Sequence, residues 1–281
     1  MTHILPFTFG IPLLPRACAR DWPMVERLLG LALTSALAQT DQRFNVIVAG
    51  HERPQCLPED ARVSFLRADW PVEAVRPDNR DRGRKTDLIN RHVLDHGGGL
   101  LMFLDADDWV DTRLVGTARS HIGPNDAAGV IQNGYAVDFR RLKAAPLPHP
   151  DIFDGSFHRI CGSSVVLKLK PDDPDPVRRD PNRLLHEHYR VVETAADAGF
   201  GLARLPVLGC YLVNTSDSHS EVHGPYAEWR REFNEGVNRL GRRLDDAFTA
   251  RFGLDLHRLR APIHGHRFES RPAEAGWAPS C

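Results

Sequence analysis

The chain has 281 residues, 42% of them hydrophobic, and a formal charge of −1 from 36 basic and 37 acidic side chains. That balance lacks the basic excess of a nucleic-acid-binding domain, and the length fits one large α/β domain, 1–223, followed by a helical extension and irregular tail, 224–281. Five scattered cysteines without a CxxC pair, no apolar run near the ~18–20 residues of a membrane span and no signal-peptide pattern predict a soluble cytoplasmic protein with reduced thiols, peripheral membrane contact being left open.

His3 to Ile11 reads as a first strand, and Trp22 to Ala38 as a helix with Val25, Leu28, Leu29, Leu33 and Leu37 on one face. Strands follow at Phe44–Ala49 and Arg62–Arg67, so the opening is a βαβ unit and implies a nucleotide-binding parallel sheet. Thr86–His96 reads as a helix stopped by Gly97, Gly98 and Gly99. The segment LLMFLDADDWV at 100–110 then runs from a buried strand into three carboxylates. Further strands are predicted at Ala128–Phe139 and Cys161–Lys168, with loops at Pro146–Pro150 and in the proline-rich PDDPDPVRRDP of 171–181. That second loop reads either as a plain connection or as a lid. From Pro225 the apolar set Trp229, Phe233, Val237, Leu240, Leu244 and Phe248 predicts one amphipathic helix packed on the domain.

Ligands of open α/β sheets bind beyond the carboxyl ends of the strands, and Mg²⁺ or Mn²⁺ prefers one or two carboxylates plus substrate phosphate oxygens. Asp105, Asp107 and Asp108 therefore form a candidate metal and diphosphate site, with Asp107 the direct ligand; a helix-capping role competes for Asp108 and is the preferred reading of Asp111. In RDRGRK, Arg80 and Arg82 read as a solvated face. Arg84 and Lys85, after Gly83 and before the predicted helix, are candidate diphosphate ligands. Ser163 and Ser164 are either pocket residues or the plain start of a strand.

The DADD after a hydrophobic strand, together with LTSALAQTDQRFNVIVAG (33–50), CGSSVVLKL (161–169) and HEHYRVVETAADAGFGLARLP (186–206), resembles the DXD-containing family 2 glycosyltransferases. The resemblance spans roughly residues 5–215. It implies a GT-A-like fold, with a Rossmann-like, mostly parallel central sheet flanked by helices. It also implies a metal-dependent enzyme that moves a sugar from a nucleotide diphosphate sugar to a glycan or small-molecule hydroxyl acceptor with inversion. Mn²⁺ or Mg²⁺ would be the cofactor, with Asp105 at the ribose or at the metal through water. Glu187 in HEHYR matches the family's late acid and would be the general base. His219 would be a further metal ligand.

Two departures stand out. The family's Arg-Asn pair is Arg-Lys here, and its base-reading Asp-Asp-Gly-Ser turn is replaced by AGHERP, so Glu52 or Asp69 would have to substitute. Two other classes stay open: a catalytically silent sugar-nucleotide or glycan-binding module, and a phosphoryl or nucleotidyl transferase.

Overall fold

The computed structural model describes residues 5–76, 78–173, 188–222 and 227–260. Most of the predicted 171–181 loop, Glu187 and the irregular tail lie outside the described residues. The first half of the chain forms β1 (Phe7–Pro12), α1 (Trp22–Leu37), β2 (Asn45–Gly50), β3 (Val63–Arg67), α2 (Arg80–Asp95), β4 (Gly99–Phe103), β5 (Trp109–Val110), α3 (Leu114–His121), β6 (Asp126–Val130) and β7 (Asn133–Asp138). The second half forms β8 (Lys143–Leu147), β9 (Val165–Leu169), α4 (Val191–Asp197), β10 (Gly201–Arg204), β11 (Leu208–Val213), α5 (His219–Val222), α6 (Ala227–Leu240), β12 (Arg242–Arg243), α7 (Asp246–Arg251) and α8 (Leu256–Arg260).

The protein is α/β. A seven-stranded sheet runs β10-β6-β9-β4-β1-β2-β3, parallel except at β9, which pairs antiparallel to both β4 and β6. Strands β1, β2 and β4 bury nearly every residue, as the continuous apolar runs FTFGIP, NVIVAG and GLLMF require when helices cover both faces. The turn into β4 depends on glycine: Gly99 has φ +127, and a Cβ there would sit 2.5 Å from the Pro6 carbonyl oxygen. A second sheet, β12-β8-β7-β11-β5, holds Tyr135, Cys210 and Leu212 against Trp109, Phe248 and Phe252.

Several predicted elements move. The single strand expected over Ala128–Phe139 is two strands in different sheets, β6 and β7, because the chain crosses between sheets at Ile131 and Gln132. Part of the predicted Pro146–Pro150 loop belongs to β8, whose Pro146 pairs with Tyr135. The long C-terminal helix stops at Leu240: the Gly241 amide bonds the Val237 carbonyl, Leu244 lies between β12 and α7, and Phe248 belongs to α7. Its apolar face docks in part: Phe233 and Val237 join the main core with Tyr211 and Leu147, whereas Trp229 and Leu240 are exposed. Helix α2 begins six residues earlier than predicted, at Arg80, after Asn79 in the left-handed region (φ 48). Gly83 is tolerated inside its first turns, and Arg84 and Lys85 sit within the helix rather than before it.

Candidate active site

The DADD segment is strung between the two sheets. Leu104 continues β4, its amide bonding the Gly10 carbonyl at 2.9 Å, and two residues after Asp107 the chain enters β5 of the other sheet. The acids therefore stand at the carboxyl ends of β1 and β4. There a cleft of about 350 Å³ opens between the loop after β1, the start of α2, the loop after β11 and α6.

The three acids have different surroundings. Asp105 accepts from Arg82 Nη2 at 2.8 Å and Nε at 3.2 Å, while its own amide donates to Ser163 Oγ at 2.9 Å. Asp107 lines the same cleft and accepts from Thr215 Oγ1 at 2.9 Å. Burial first, and then the negative field of Asp105, pushes the Asp107 carboxyl up to about 7. Asp108 is 1% exposed and takes the Leu212 amide at 3.0 Å and the Cys161 thiol at 3.4 Å. Burial and its two neighbouring acids raise its carboxyl well above the usual range. It is a structural staple between the DADD, β11 and the loop before β9, and it does not face the cleft.

Asp105 and Asp107 supply hard oxygen donors beside each other, and the raised Asp107 marks a negative charge that nothing nearby compensates fully. The set fits a divalent cation completed by phosphate oxygens. Among the described residues no group of three or more His, Cys, Asp or Glu side chains could hold a metal without such help. His219, at the start of α5, also lines the cleft.

The basic residues are arranged differently from the sequence expectation. Lys85 lines the cleft floor but is fully buried, its ammonium donating to the Leu13 carbonyl at 2.7 Å and to Asp81 at 2.5 Å. It anchors α2 to the end of β1. Arg84 does not line the cleft; its guanidinium lies 4.4 Å from the centroid of the Trp70 ring and 3.4 Å from Glu73. Arg82, read as part of a solvated face, is the cation of this segment that reaches the site, because the earlier helix start turns it toward Asp105. Ser163 holds the Asp105 backbone, and buried Ser164 donates to the Cys161 carbonyl at 2.6 Å. Asp69 and Glu52 are exposed and do not line the cleft; Glu52 accepts the Arg16 amide at 3.4 Å.

Four contributors lie outside the site residues expected from the sequence. Arg230 of α6 reaches the cleft with Nη1 3.1 Å from the Tyr211 hydroxyl, its guanidinium between the Tyr211 and Trp229 rings. Asp217 accepts the Arg20 and Asp21 amides at 2.8 and 3.1 Å, tying the loop before α1 to the loop after β11. Thr215 holds Asp107, and His188 lines the wall beside Gly162. Each acts across a large sequence separation, which no local pattern reports.

No protein-family model matches the chain, and no curated protein matches its sequence. Among solved structures, the galactosyltransferase LgtC in complex with donor and acceptor sugar analogs is 10% identical, with a TM-score of 0.41 over 88% of this chain and 100% of that one. The inositol-1-phosphate CTP transferase from T. maritima is 12% identical, with a TM-score of 0.41 over 84% of this chain and 99% of that one. Mouse xyloside xylosyltransferase 1 is 11% identical, with a TM-score of 0.39 over 82% and 94%. Among the described residues no helix is long and apolar enough to cross a membrane.

Proposed function

We propose that the chain is a GT-A-like, metal-dependent glycosyltransferase whose cleft takes a nucleotide diphosphate sugar and passes the sugar to a hydroxyl acceptor with inversion. The observation that carries this reading is the pair Asp105 and Asp107 at the carboxyl end of a buried parallel strand, with the Asp107 carboxyl pushed up to about 7 by burial and then by Asp105. Asp107, with Asp105 beside it, would hold Mg²⁺ or Mn²⁺, and His219 would be a further ligand. When bound, that cation supplies positive charge to the departing diphosphate. Arg230 of α6 adds a second cation to the cleft lining. Arg82 fixes the Asp105 carboxylate, so the acid keeps one orientation as ligands come and go.

The test is a thermal-shift panel of nucleoside diphosphates and their sugar conjugates, each with and without Mn²⁺, followed by assay of sugar-nucleotide hydrolysis. A ligand that binds only the native state raises the melting point in proportion to ln(1 + [L]/Kd). A Mn²⁺-dependent rise with one nucleotide diphosphate, with slow release of its sugar, is the expected result. A rise without turnover would instead favour a silent binding module. No rise with any of them would remove the reading.

A further inference from the structure

Transfer to a hydroxyl leaves a proton to be placed, and most acids of the cleft are engaged. Asp105 takes both Arg82 bonds on Oδ1 and is reserved for the cation, and Asp217 accepts two backbone amides. Asp81 takes the Lys85 ammonium and the Trp70 indole N–H at 3.1 Å. The Cys18 thiol donates to the Glu73 carbonyl at 3.3 Å, and burial raises its pKa, so it is protonated at neutral pH.

His188 is different. Its Nδ1 lies 2.6 Å from the His158 carbonyl oxygen, and a carbonyl only accepts, so Nδ1 carries the hydrogen and the neutral ring keeps its lone pair on Nε2. The ring lines the cleft wall. Its Cδ2, bonded to Nε2, lies 3.7 Å from where a Cβ on Gly162 would sit, a position also 3.3 Å from Asp105 Oδ2 and 3.4 Å from Arg82 Nη2. Glycine at 162 thus lets an imidazole edge, a carboxylate and a guanidinium crowd onto one patch.

We propose that His188 is the base that receives the proton of the attacking hydroxyl, Nδ1 being locked on the His158 carbonyl and Nε2 open to the cleft. The proposal rests on the glycosyltransferase reading. The acceptor oxygen bonds to the anomeric carbon and its proton passes to Nε2. The bond from that carbon to the diphosphate oxygen breaks, and the electron pair leaves on the nucleoside diphosphate. Asp105 faces the ring and favours the resulting imidazolium, whereas Arg82 and Arg230 oppose it. Burial, aided by the two arginines, outweighs the His158 carbonyl bond and Asp105 and sets the pKa of the free ring below its ordinary value, so the base is unprotonated at neutral pH.

The experiment uses the full chain with saturating Mn²⁺ and whichever nucleotide sugar the binding panel identifies, with water as acceptor. His188→Asn keeps an N–H at the place of Nδ1 and deletes the base; His188→Gln puts a non-basic amide near the place of Nε2. Either folded variant is expected to bind donor as the wild type does and to lose ~10²- to 10⁴-fold in turnover. The wild-type log kcat should fall with unit slope on the acid side of pH 6.5, and the variants' profile should be flat there. Wild-type turnover in a His188 variant, or loss of turnover only together with donor affinity, overturns the proposal while leaving the glycosyltransferase reading intact. Should neither variant fold, a wild-type kcat that stays flat below pH 6.5 overturns it equally. If no nucleotide sugar binds the wild type, both readings fall together.

Discussion

The acids on either side of β5, Asp107 half-buried and Asp111 buried, are treated in opposite ways. On the α3 side, Asp111 is 1% exposed and saturated: Arg113 grips it through its amide and guanidinium at 2.9–3.0 Å, and Arg251 stands 3.6 Å away. Those bonds outweigh burial and hold its carboxyl below the usual range. On the cleft side Asp107 has one hydroxyl and an acidic neighbour, and its carboxyl rises. Burial raises both. What differs is how much positive partner the protein itself provides, and a carboxylate left without one is poised for a cation that arrives from outside.

That contrast can be broken most strongly at Asp107. Asp107→Ala is expected to reduce Mn²⁺-dependent nucleotide binding by at least ~100-fold in calorimetric titration, since the cation loses a carboxylate that would touch it, while the metal-free protein melts no lower than wild type. Unchanged metal dependence would return Asp107 to a structural role. Asp111→Ala should do the reverse. It should lower stability by about 2 kcal/mol in urea unfolding, by stripping charge-assisted bonds from a buried position, and leave nucleotide affinity alone.

A smaller effect sharpens the comparison through pH. An acid whose folded value lies above its unfolded one binds more protons in the native state. Metal-free stability contributed by Asp107 is therefore present at low pH and declines as pH rises from about 4 to about 7. Asp111, shifted the other way, contributes stability at neutral pH that is lost in acid. Melting curves from pH 5 to 8 should show the Mn²⁺-induced gain growing with pH in the wild type and absent in Asp107→Ala. Smallest of all, Arg84→Ala should change nucleoside diphosphate affinity less than twofold, because its guanidinium rests on Trp70 away from the cleft. A tenfold loss would restore it to the diphosphate site.

Much of the fold was legible because β1, β2 and β4 are continuous apolar runs bounded by turn residues, and burial on both faces demands that pattern. The DADD was legible for the same reason: charge at the abrupt end of such a run has no place in a core. The start of α2 was missed because Gly83 looks like a helix boundary, although open space around it makes glycine merely tolerable there. That error carried Arg82 and Arg84 to the wrong sides of the helix. Strands β6 and β7 were merged because an apolar run crossing from one sheet to another carries no mark of the crossing. Arg230, Thr215 and His188 were invisible as partners of the DADD because tertiary packing alone brings them there.

The placement of the DADD between two sheets also governs how this segment can change over evolutionary time. Residues 104–108 link the last residue of β4 to the first of β5 through a tight turn closed by the Asp108 amide on the Asp105 carbonyl at 3.1 Å, so the spacing of the acids is set by that turn. One inserted residue would pull Asp107 off Thr215 and Asp108 off the Leu212 amide in the same stroke. Drift here is therefore open to exchange of side chains but closed to change of length, and libraries aimed at new metal or donor preferences should randomise residues 105–107 while leaving their spacing untouched.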